Sequence, residues 1–304
     1  MKFKSLFDLL KQYDTEEKCR EYFVKQRWSN GIRVCPHCNN IETNKPIYKT
    51  KRGIYRCGNC RKDFSVRTNT FMGDSPIPYQ KWLMALFLIT SHKKGISSLQ
   101  LAKDIGITQK SAWFIIQRIA NIIDNNDRLR GTVEVDETYI GGKESNKHKN
   151  KKTKSYNKVQ GDKTAILGMI QRSGKVVLKK FEKINKACIA PHIEQHITQK
   201  AIVNTDESPI YKGALNGRER RIVNHSAKQY VFEDNTTNRI ECIFAHLKRM
   251  INGVHIFLSA KHIQKYANMF CFRMNTRCLD EYERISALLS DTANTRLQYK
   301  QAIA

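Results

Sequence analysis

The sequence is poor in acidic residues and has no long apolar run. Among its 304 residues, 28 are Asp or Glu and 54 are Lys or Arg, which gives a formal net charge of +26. This excess is too large for a neutral metabolic enzyme and favours a polyanionic partner, nucleic acid before anionic membrane. The longest apolar stretch, Leu83 to Ile89, is too short to cross a bilayer, and the N-terminus lacks the apolar core of a secretion signal. We therefore expect no membrane partner and a cytosolic, nucleoid-associated protein.

The nine cysteines do not form a disulfide pattern. Four lie in two Cys-x-x-Cys hooks, Cys35–Cys38 and Cys57–Cys60, with eighteen residues between the hooks. This spacing is typical of a closed, tetrahedral zinc site, with Gly58 suited to the turn of the second hook. We predict one structural zinc ion per chain, in preference to a redox pair or an iron–sulfur site. The other five are an odd, scattered set that suits a reducing compartment: Cys19, Cys188, Cys242, Cys271 and Cys278.

The two hooks predict a small zinc ribbon. Helical periodicity is found before and after it, at 15–27, 79–90 and 97–118. In the last of these, Ala102, Gly106 and Ala112 are spaced as the small residues of a helix-turn-helix are. Its second helix, capped by Thr108, would present residues 109–111 to a DNA groove. A helical hairpin that does not bind DNA is also compatible with this sequence pattern. The predicted DNA contacts of this region are Gln109, Lys110, Ser111 and Arg118.

From Gly131 the apolar period changes from 3.6 residues to about two. The predicted strands are Thr132–Ile140, Thr164–Gln171, Lys175–Lys180, Ala201–Thr205 and Arg221–Val223. Helices are predicted at Ala187–Ile197, near Tyr211 and from Asn238 onward. This alternation predicts an α/β domain with a mixed sheet flanked by helices; by analogy, it is the element order of the ribonuclease H-like fold.

The predicted organisation has four segments. An N-terminal helix and the zinc ribbon occupy 1–70, the helix-turn-helix region occupies 71–130, the catalytic α/β domain occupies 131–280, and a helical tail follows in 281–304. Residues 143–158 contain seven lysines and one acid, and this segment is equally consistent with a solvated loop and a DNA-contacting arm.

Three acids are placed where a metal site would require them. Asp136 and Asp206 are expected at strand ends, and Glu241 lies beside the apolar stripe of the helix from Asn238, where it would face the sheet edge. Clustered carboxylates suit Mg²⁺ or Mn²⁺, and two such ions can stabilise both oxygens of an in-line phosphoryl displacement. Spacing alone does not distinguish these acids from their neighbours Glu134, Glu137 and Glu207.

The chain resembles the zinc-ribbon DDE transposases of bacterial insertion sequences, and most closely the ISXO2-like (IS1595) family. The resemblance covers Phe3 to about Arg277. It rests on the hooks, on Val135-Asp-Glu-Thr-Tyr-Ile-Gly-Gly-Lys143, Thr205-Asp206, His225-Ser226, Thr237-Asn-Arg-Ile-Glu241 and Leu247-Lys-Arg249. One departure is visible, since Cys242-Ile-Phe244 stands where the family often has a glycine and an aromatic pair.

The resemblance implies a catalytic triad of Asp136, Asp206 and Glu241 holding two Mg²⁺ or Mn²⁺ ions. It also implies that Lys248 is the trailing basic residue, with Arg249 beside it at the DNA. Such an enzyme would cut the terminal inverted repeats of its element and join the 3′-hydroxyls to target DNA, as a homodimer or larger assembly. The alternatives are a catalytically inactive DNA-binding protein and a ribonuclease H-like nuclease without strand transfer.

Overall fold

The computed structural model describes residues 2–142, 148, 163–172, 174–223, 236–290 and 292–303. The chain divides into two compact units. One contains the residues up to Ile123 together with those from Thr276 onward, and the other is Asp124–Asn275. Apart from His148, the lysine-rich segment 143–158 lies outside the described residues, as does the predicted pair His225-Ser226.

The two units have different element compositions. The first begins with α1 Leu6–Gln12, α2 Glu16–Arg27, β1 Ile47–Lys51, β2 Ile54–Cys57, β3 Asp63–Ser65, α3 Tyr79–Ser91, α4 Ser98–Ile105 and α5 Gln109–Ile122. The second contains β4 Thr132–Ile140, β5 Thr164–Gln171, β6 Val176–Phe181, α6 Lys186–His196, β7 Ile202–Thr205, β8 Arg220–Ile222, α7 Asn238–Met250 and α8 Ile263–Asn275. The chain then returns to the first unit with α9 Glu281–Leu289 and α10 Tyr299–Ile303.

Helix α3 forms the core of the first unit. Eight of its thirteen residues are buried, because it is apolar on nearly every side. Such a helix needs neighbours all round, and α1, α2, α4, α5 and α9 pack on it. The buried guanidinium of Arg284, on α9, donates to the carbonyl oxygen of Thr90 at 3.1 Å and ties α9 to the end of α3. Residues 281–303 therefore belong to this unit, in contrast to the separate tail expected from the sequence.

The ribbon is an antiparallel sheet in the order β1-β2-β3. Trp28, Tyr55 and Phe64 are buried and meet with ring centroids 5.7–6.3 Å apart. These aromatic rings fill the core of the ribbon and are not available to stack on bases.

The second unit is built on a five-stranded mixed sheet in the order β6-β5-β4-β7-β8. Strands β6, β5 and β4 are antiparallel neighbours, whereas β7 and β8 are added in parallel to β4. Every residue of β5 except Gln171 is buried, as its nearly continuous apolar sequence requires. With helices packed on it, this sheet has the ribonuclease H-like arrangement predicted from the element order.

The two faces of β4 have different roles. Val133 and Val135 point into a hydrophobic core with Ile189 and Ile193 of α6. Glu134 and Asp136 alternate with them and therefore lie on the opposite face, which α7 covers. At the sheet edge, α8 covers β6: the Gln264 side chain accepts from the Lys180 N–H at 2.7 Å and donates to the Leu178 carbonyl at 2.9 Å.

Within the described part of the chain, no helix has the length and apolar character needed to span a membrane.

Candidate functional site

The four hook cysteines converge on one point in the ribbon. Their sulfur atoms all lie within 4.8 Å of one another, and the Cys35–Cys60 and Cys38–Cys57 sulfur pairs are 3.7 and 3.8 Å apart. A tetrahedron with Zn–S bonds of about 2.3 Å has sulfur–sulfur edges of roughly 3.8 Å. These residues therefore fit a zinc ion, and all four are free of disulfides.

The two hooks share one backbone geometry. The N–H groups of Asn39 and Arg61 each donate at 2.9 Å to the carbonyl of the first cysteine of their hook, and both residues have left-handed φ angles of +56° and +58°. Hydrogen bonds, first from the Asn40 N–H and then from the Cys60 and Asn59 side chains, lower the pKa of Cys38 to about 6, whereas burial raises the pKa of Cys35 to about 12. Bound zinc would favour the thiolate of both.

Gly58 serves a different purpose from the turn expected of it. Its φ is not positive; instead, a Cβ there would lie 2.6 Å from the Pro46 carbonyl oxygen, to which the Gly58 N–H donates at 2.9 Å. Close approach of two backbones, and not a left-handed turn, requires the glycine.

The predicted acids lie where β4 and β7 part. The parallel pairing matches Val133 with Val203 and Glu134 with Asn204, so that continuing this register by two residues places Asp136 level with Asp206. Asp136 is not at a strand end as expected: β4 continues beyond it to Ile140, paired with β5 alone. Asp206 directly follows the last residue of β7.

Helix α7 brings Glu241 to the same place. Gly168 on β5 is the register partner of Asp136, and a Cβ there would lie 2.6 Å from Ile240 and 2.7 Å from Phe244 of α7. The missing side chain lets α7 lie directly on the sheet beside Asp136. Glu241 itself is exposed, which corrects the expectation that it faces away from open water.

The electrostatics of Asp136 show that the three acids are close. Burial, together with the negative charges of Glu137, Asp206 and Glu241, raises its pKa to about 7, against a hydrogen bond from the Glu137 N–H that lowers it. Anions that destabilise one another in this way fit a divalent cation, which would neutralise them. Among the described residues, the cysteines alone form a group of three or more ligands within 4.8 Å, so the carboxylates are near neighbours and not a closed cluster.

Two residues at this site, Tyr211 and Arg220, were not indicated by the sequence. Tyr211 is fully buried and donates its hydroxyl hydrogen to Glu137, which lies beside Asp136 on the other face of β4. Arg220 on β8 donates to the Thr205 hydroxyl at 2.9 Å and to the Asp206 carbonyl at 2.9 Å, and so fixes the chain where β7 ends. No sequence signature marks Arg220 for this role, because the contact is created by the pairing of β8 with β7.

Asp136→Asn should stabilise the protein without Mg²⁺ or Mn²⁺ in a pH-dependent manner. The folded-state pKa of about 7 exceeds the unfolded value of 3.8, so folding favours the protonated acid, and wild-type stability falls as pH rises between these values. The gain in free energy of unfolding should be small near pH 4, grow to about 1–3 kcal/mol by pH 7 and then level off. Chemical unfolding at several pH values, without added Mg²⁺ or Mn²⁺ and without a chelator that would remove the ribbon zinc, would measure it. A difference in unfolding free energy between Asp136→Asn and the wild type that does not change with pH would contradict the raised pKa of Asp136.

The predicted helix pair at 97–118 is present, and its role in reading DNA stays a prediction. Gly106 ends α4 with φ +61°, and Thr108 caps α5 by accepting from the Ser111 N–H. Gln109 and Lys110 are exposed. The Lys110 ammonium lies 4.9 Å from the centre of the Tyr299 ring, so α10 shares the surface at the start of α5, a contact that the sequence did not indicate.

Arg118 is wrongly placed among the DNA contacts. It is 7% exposed, and its guanidinium lies over the Phe114 ring at 4.2 Å. The reason is the position of Arg118 on the buried side of α5, where its guanidinium packs on an aromatic ring instead of reaching solvent.

Lys248 and Arg249 are both exposed in the last turn of α7, seven and eight residues beyond Glu241.

Two family models match the chain. The model described as an ISXO2-like transposase domain matches residues 128–275, which is nearly the whole second unit. The model described as a transposase zinc-ribbon domain matches residues 14–63. No match was found among curated proteins.

Solved structures of the Mos1 transposase show a distant likeness. Its paired-end complex with the left transposon end is 14% identical, with 69% of this chain and 79% of that chain covered and a TM-score of 0.28. Its strand transfer complex is 12% identical, with 68% and 78% covered and a TM-score of 0.23. At such values these structures add nothing to the family models.

Proposed function

The chain is a transposase of the ISXO2-like (IS1595) family, and we propose that it cuts the ends of its own insertion sequence and joins the freed 3′-hydroxyls to target DNA. The reaction would be metal-dependent phosphoryl transfer, with Asp136, Asp206 and Glu241 as the ligands. Because both ends of an element are processed together, at least two copies would act on paired ends.

The observation that carries this proposal is the convergence of the three acids. Two neighbouring parallel strands supply the aspartates, and the helix on that face of the sheet supplies Glu241, whose charge raises the pKa of Asp136. Carboxylates that are held close together despite their mutual repulsion suit a site that binds divalent cations.

The protein's own residues would bind, orient and neutralise. The carboxylates would hold Mg²⁺ or Mn²⁺, which when bound activates a water or 3′-hydroxyl oxygen and stabilises the leaving oxygen. Arg220 keeps the backbone of Asp206 in place. Lys248 and Arg249, exposed on the helix of Glu241, would grip the phosphates next to the bond that is broken.

A joining assay with precut ends tests the proposal. Purified protein is incubated with DNA that carries the repeats flanking its gene, a target plasmid, and Mg²⁺ or Mn²⁺; ends of scrambled sequence serve as the control. We expect covalently joined products that need both the repeat and the metal. Hydrolysis without joining would identify a nuclease instead, and binding without either product an inactive protein.

Affinity for terminal DNA should fall steeply between roughly 50 and 200 mM salt, because neutralised phosphates release counterions. Lys110→Ala should reduce the slope of log affinity against log salt by about one. The matched control is Lys18→Ala, which removes an exposed lysine already paired with Asp14 at 2.9 Å. Fluorescence anisotropy would measure both. Affinity that does not change with salt would contradict the interpretation of the net charge.

A further inference from the structure

Helix α7, like α3, is not capped by its own N-cap residue; on α3, Glu16 of α2 accepts from the Tyr79 and Gln80 N–H groups. The helices α4, α5, α6 and α9 are each capped by the side chain of their own N-cap residue. In α7 the N-cap residue, Thr237, makes no side-chain cap hydrogen bond. The first N–H groups of a helix have no partner inside it and must find one elsewhere.

The sheet supplies that partner. Both the Arg239 and Ile240 N–H groups donate to Oε2 of Glu134, at 3.0 and 3.1 Å, while the Asn238 N–H donates to the Thr236 hydroxyl at 3.0 Å. Glu134 is fully buried on β4, two residues before Asp136 and on the same strand face. The strand that carries one acid thus caps the helix that carries another.

The neighbouring strand repeats the arrangement. Asn204 on β7 is the register partner of Glu134, is also fully buried, and lies two residues before Asp206. Its side-chain amide donates to the Thr236 carbonyl at 3.4 Å, immediately before α7. Each aspartate strand therefore holds the start of α7 through a buried polar residue at the same offset.

We propose that Glu134 and Asn204 are a positioning pair that fixes Glu241 relative to both aspartates. The inference rests on the proposed function, in which all three acids hold the metal. It assigns to Glu134 and Asn204 no contact with metal or DNA; they act through α7.

The cost of the pair favours this role over simple capping. Burying a carboxylate and an amide is unfavourable unless each polar atom is paired. Within the described residues, Glu134 Oε1 and Asn204 Oδ1 are buried without a hydrogen-bond partner. A local N-cap side chain, such as those on α4, α5, α6 and α9, would cap α7 at lower cost, but it would not connect the helix to the two aspartate strands.

Glu134→Ala and Asn204→Ala test the pair, with Asn185→Ala as the matched control. Asn185 caps α6 by accepting from the Cys188 N–H at 2.9 Å, and α6 carries none of the three acids. All variants are assayed well below their melting temperatures, per folded molecule. Glu134→Ala should lower the cleavage rate on saturating terminal DNA by about 10–100-fold, since a displacement of about 1 Å can cost a hundredfold.

Metal dependence separates positioning from stability. The Mn²⁺ concentration for half-maximal cleavage should rise at least about fivefold in Glu134→Ala and in Asn204→Ala, with unchanged affinity for terminal DNA. It should stay at the wild-type value in Asn185→Ala, which loses about 1 kcal/mol of stability and nothing else. Glu134→Gln should stay within about threefold of wild type, because its amide oxygen can accept both N–H groups.

Wild-type rates and Mn²⁺ dependence in both alanine variants would overturn the inference. So would a Glu134→Gln variant as inactive as Glu134→Ala, since the charge itself would then be required. If Glu134→Ala does not fold, Asn204→Ala decides alone, because it removes a single hydrogen bond. Glu241→Gln is run in parallel: if it keeps full activity, the proposed triad fails, whereas an inactive Glu241→Gln beside unaffected alanine variants leaves the triad standing and rejects the pair.

Discussion

Asp136→Asn, Asp206→Asn and Glu241→Gln should each reduce DNA cleavage and joining by at least about a thousandfold, equivalent to roughly 4 kcal/mol of transition-state stabilisation. Each change removes one metal-binding charge and almost no volume. Affinity for terminal DNA should be unchanged or slightly higher, because less negative charge would face the phosphates. Gel assays of both steps, with anisotropy for binding, would measure the effects on one set of preparations.

The matched control for these substitutions is Glu207→Gln. Glu207 is exposed and adjacent in sequence to Asp206, so its amide variant makes the same chemical change just outside the cluster and should keep nearly full activity. Glu137 would be a poorer control, since it accepts a hydrogen bond from Tyr211 and its charge raises the pKa of Asp136. Full activity in any one of the three triad variants would exclude that residue as a required ligand.

The elements of the second unit could be predicted because its residues alternate so clearly. The run from Thr132 to Ile140 alternates apolar and polar residues and ends at two glycines, and the structure has a strand with those bounds. The apolar spacing after Asn238 is likewise that of the observed α7. Periodicity reports which face of an element is buried, and both elements are buried on one face.

Contacts between distant segments could not be predicted in this way. The pairing of Glu134 with Asn204 depends on β7 lying beside β4, and strand order cannot be read from the periodicity of either strand. The burial of Arg118 depends on which side of α5 faces the core, and the contact of Tyr299 with Lys110 joins segments nearly two hundred residues apart. A local sequence pattern carries no information on such neighbours. The cysteine hooks are different, because the spacing of the cysteines is itself enough to predict that they meet at one metal.

Removal of the ribbon metal should have the second large effect. Cys57→Ser, or dialysis against a strong chelator, should unfold the ribbon between about residues 28 and 66 and lower affinity for terminal DNA at least about tenfold. Coordination of zinc by four cysteines supplies apparent binding energies of about 10–16 kcal/mol, and the small aromatic core of Trp28, Tyr55 and Phe64 cannot replace it. Elemental analysis of the native protein should find one zinc ion per chain.

Cys278→Ser is the control for Cys57→Ser, because Cys278 is an exposed free cysteine outside the cluster. The Cys278→Ser variant should keep its zinc and its affinity for DNA, and its ribbon should resist limited proteolysis as well as that of the wild type. The second unit should stay folded in Cys57→Ser, since the four ligands all lie in the first unit, and its proteolytic fragment would show this. Protein purified under reducing conditions without zinc, or a Cys57→Ser ribbon as protease-resistant as that of the wild type, would contradict a structural metal, because the sulfur atoms would then be held together by the chain alone.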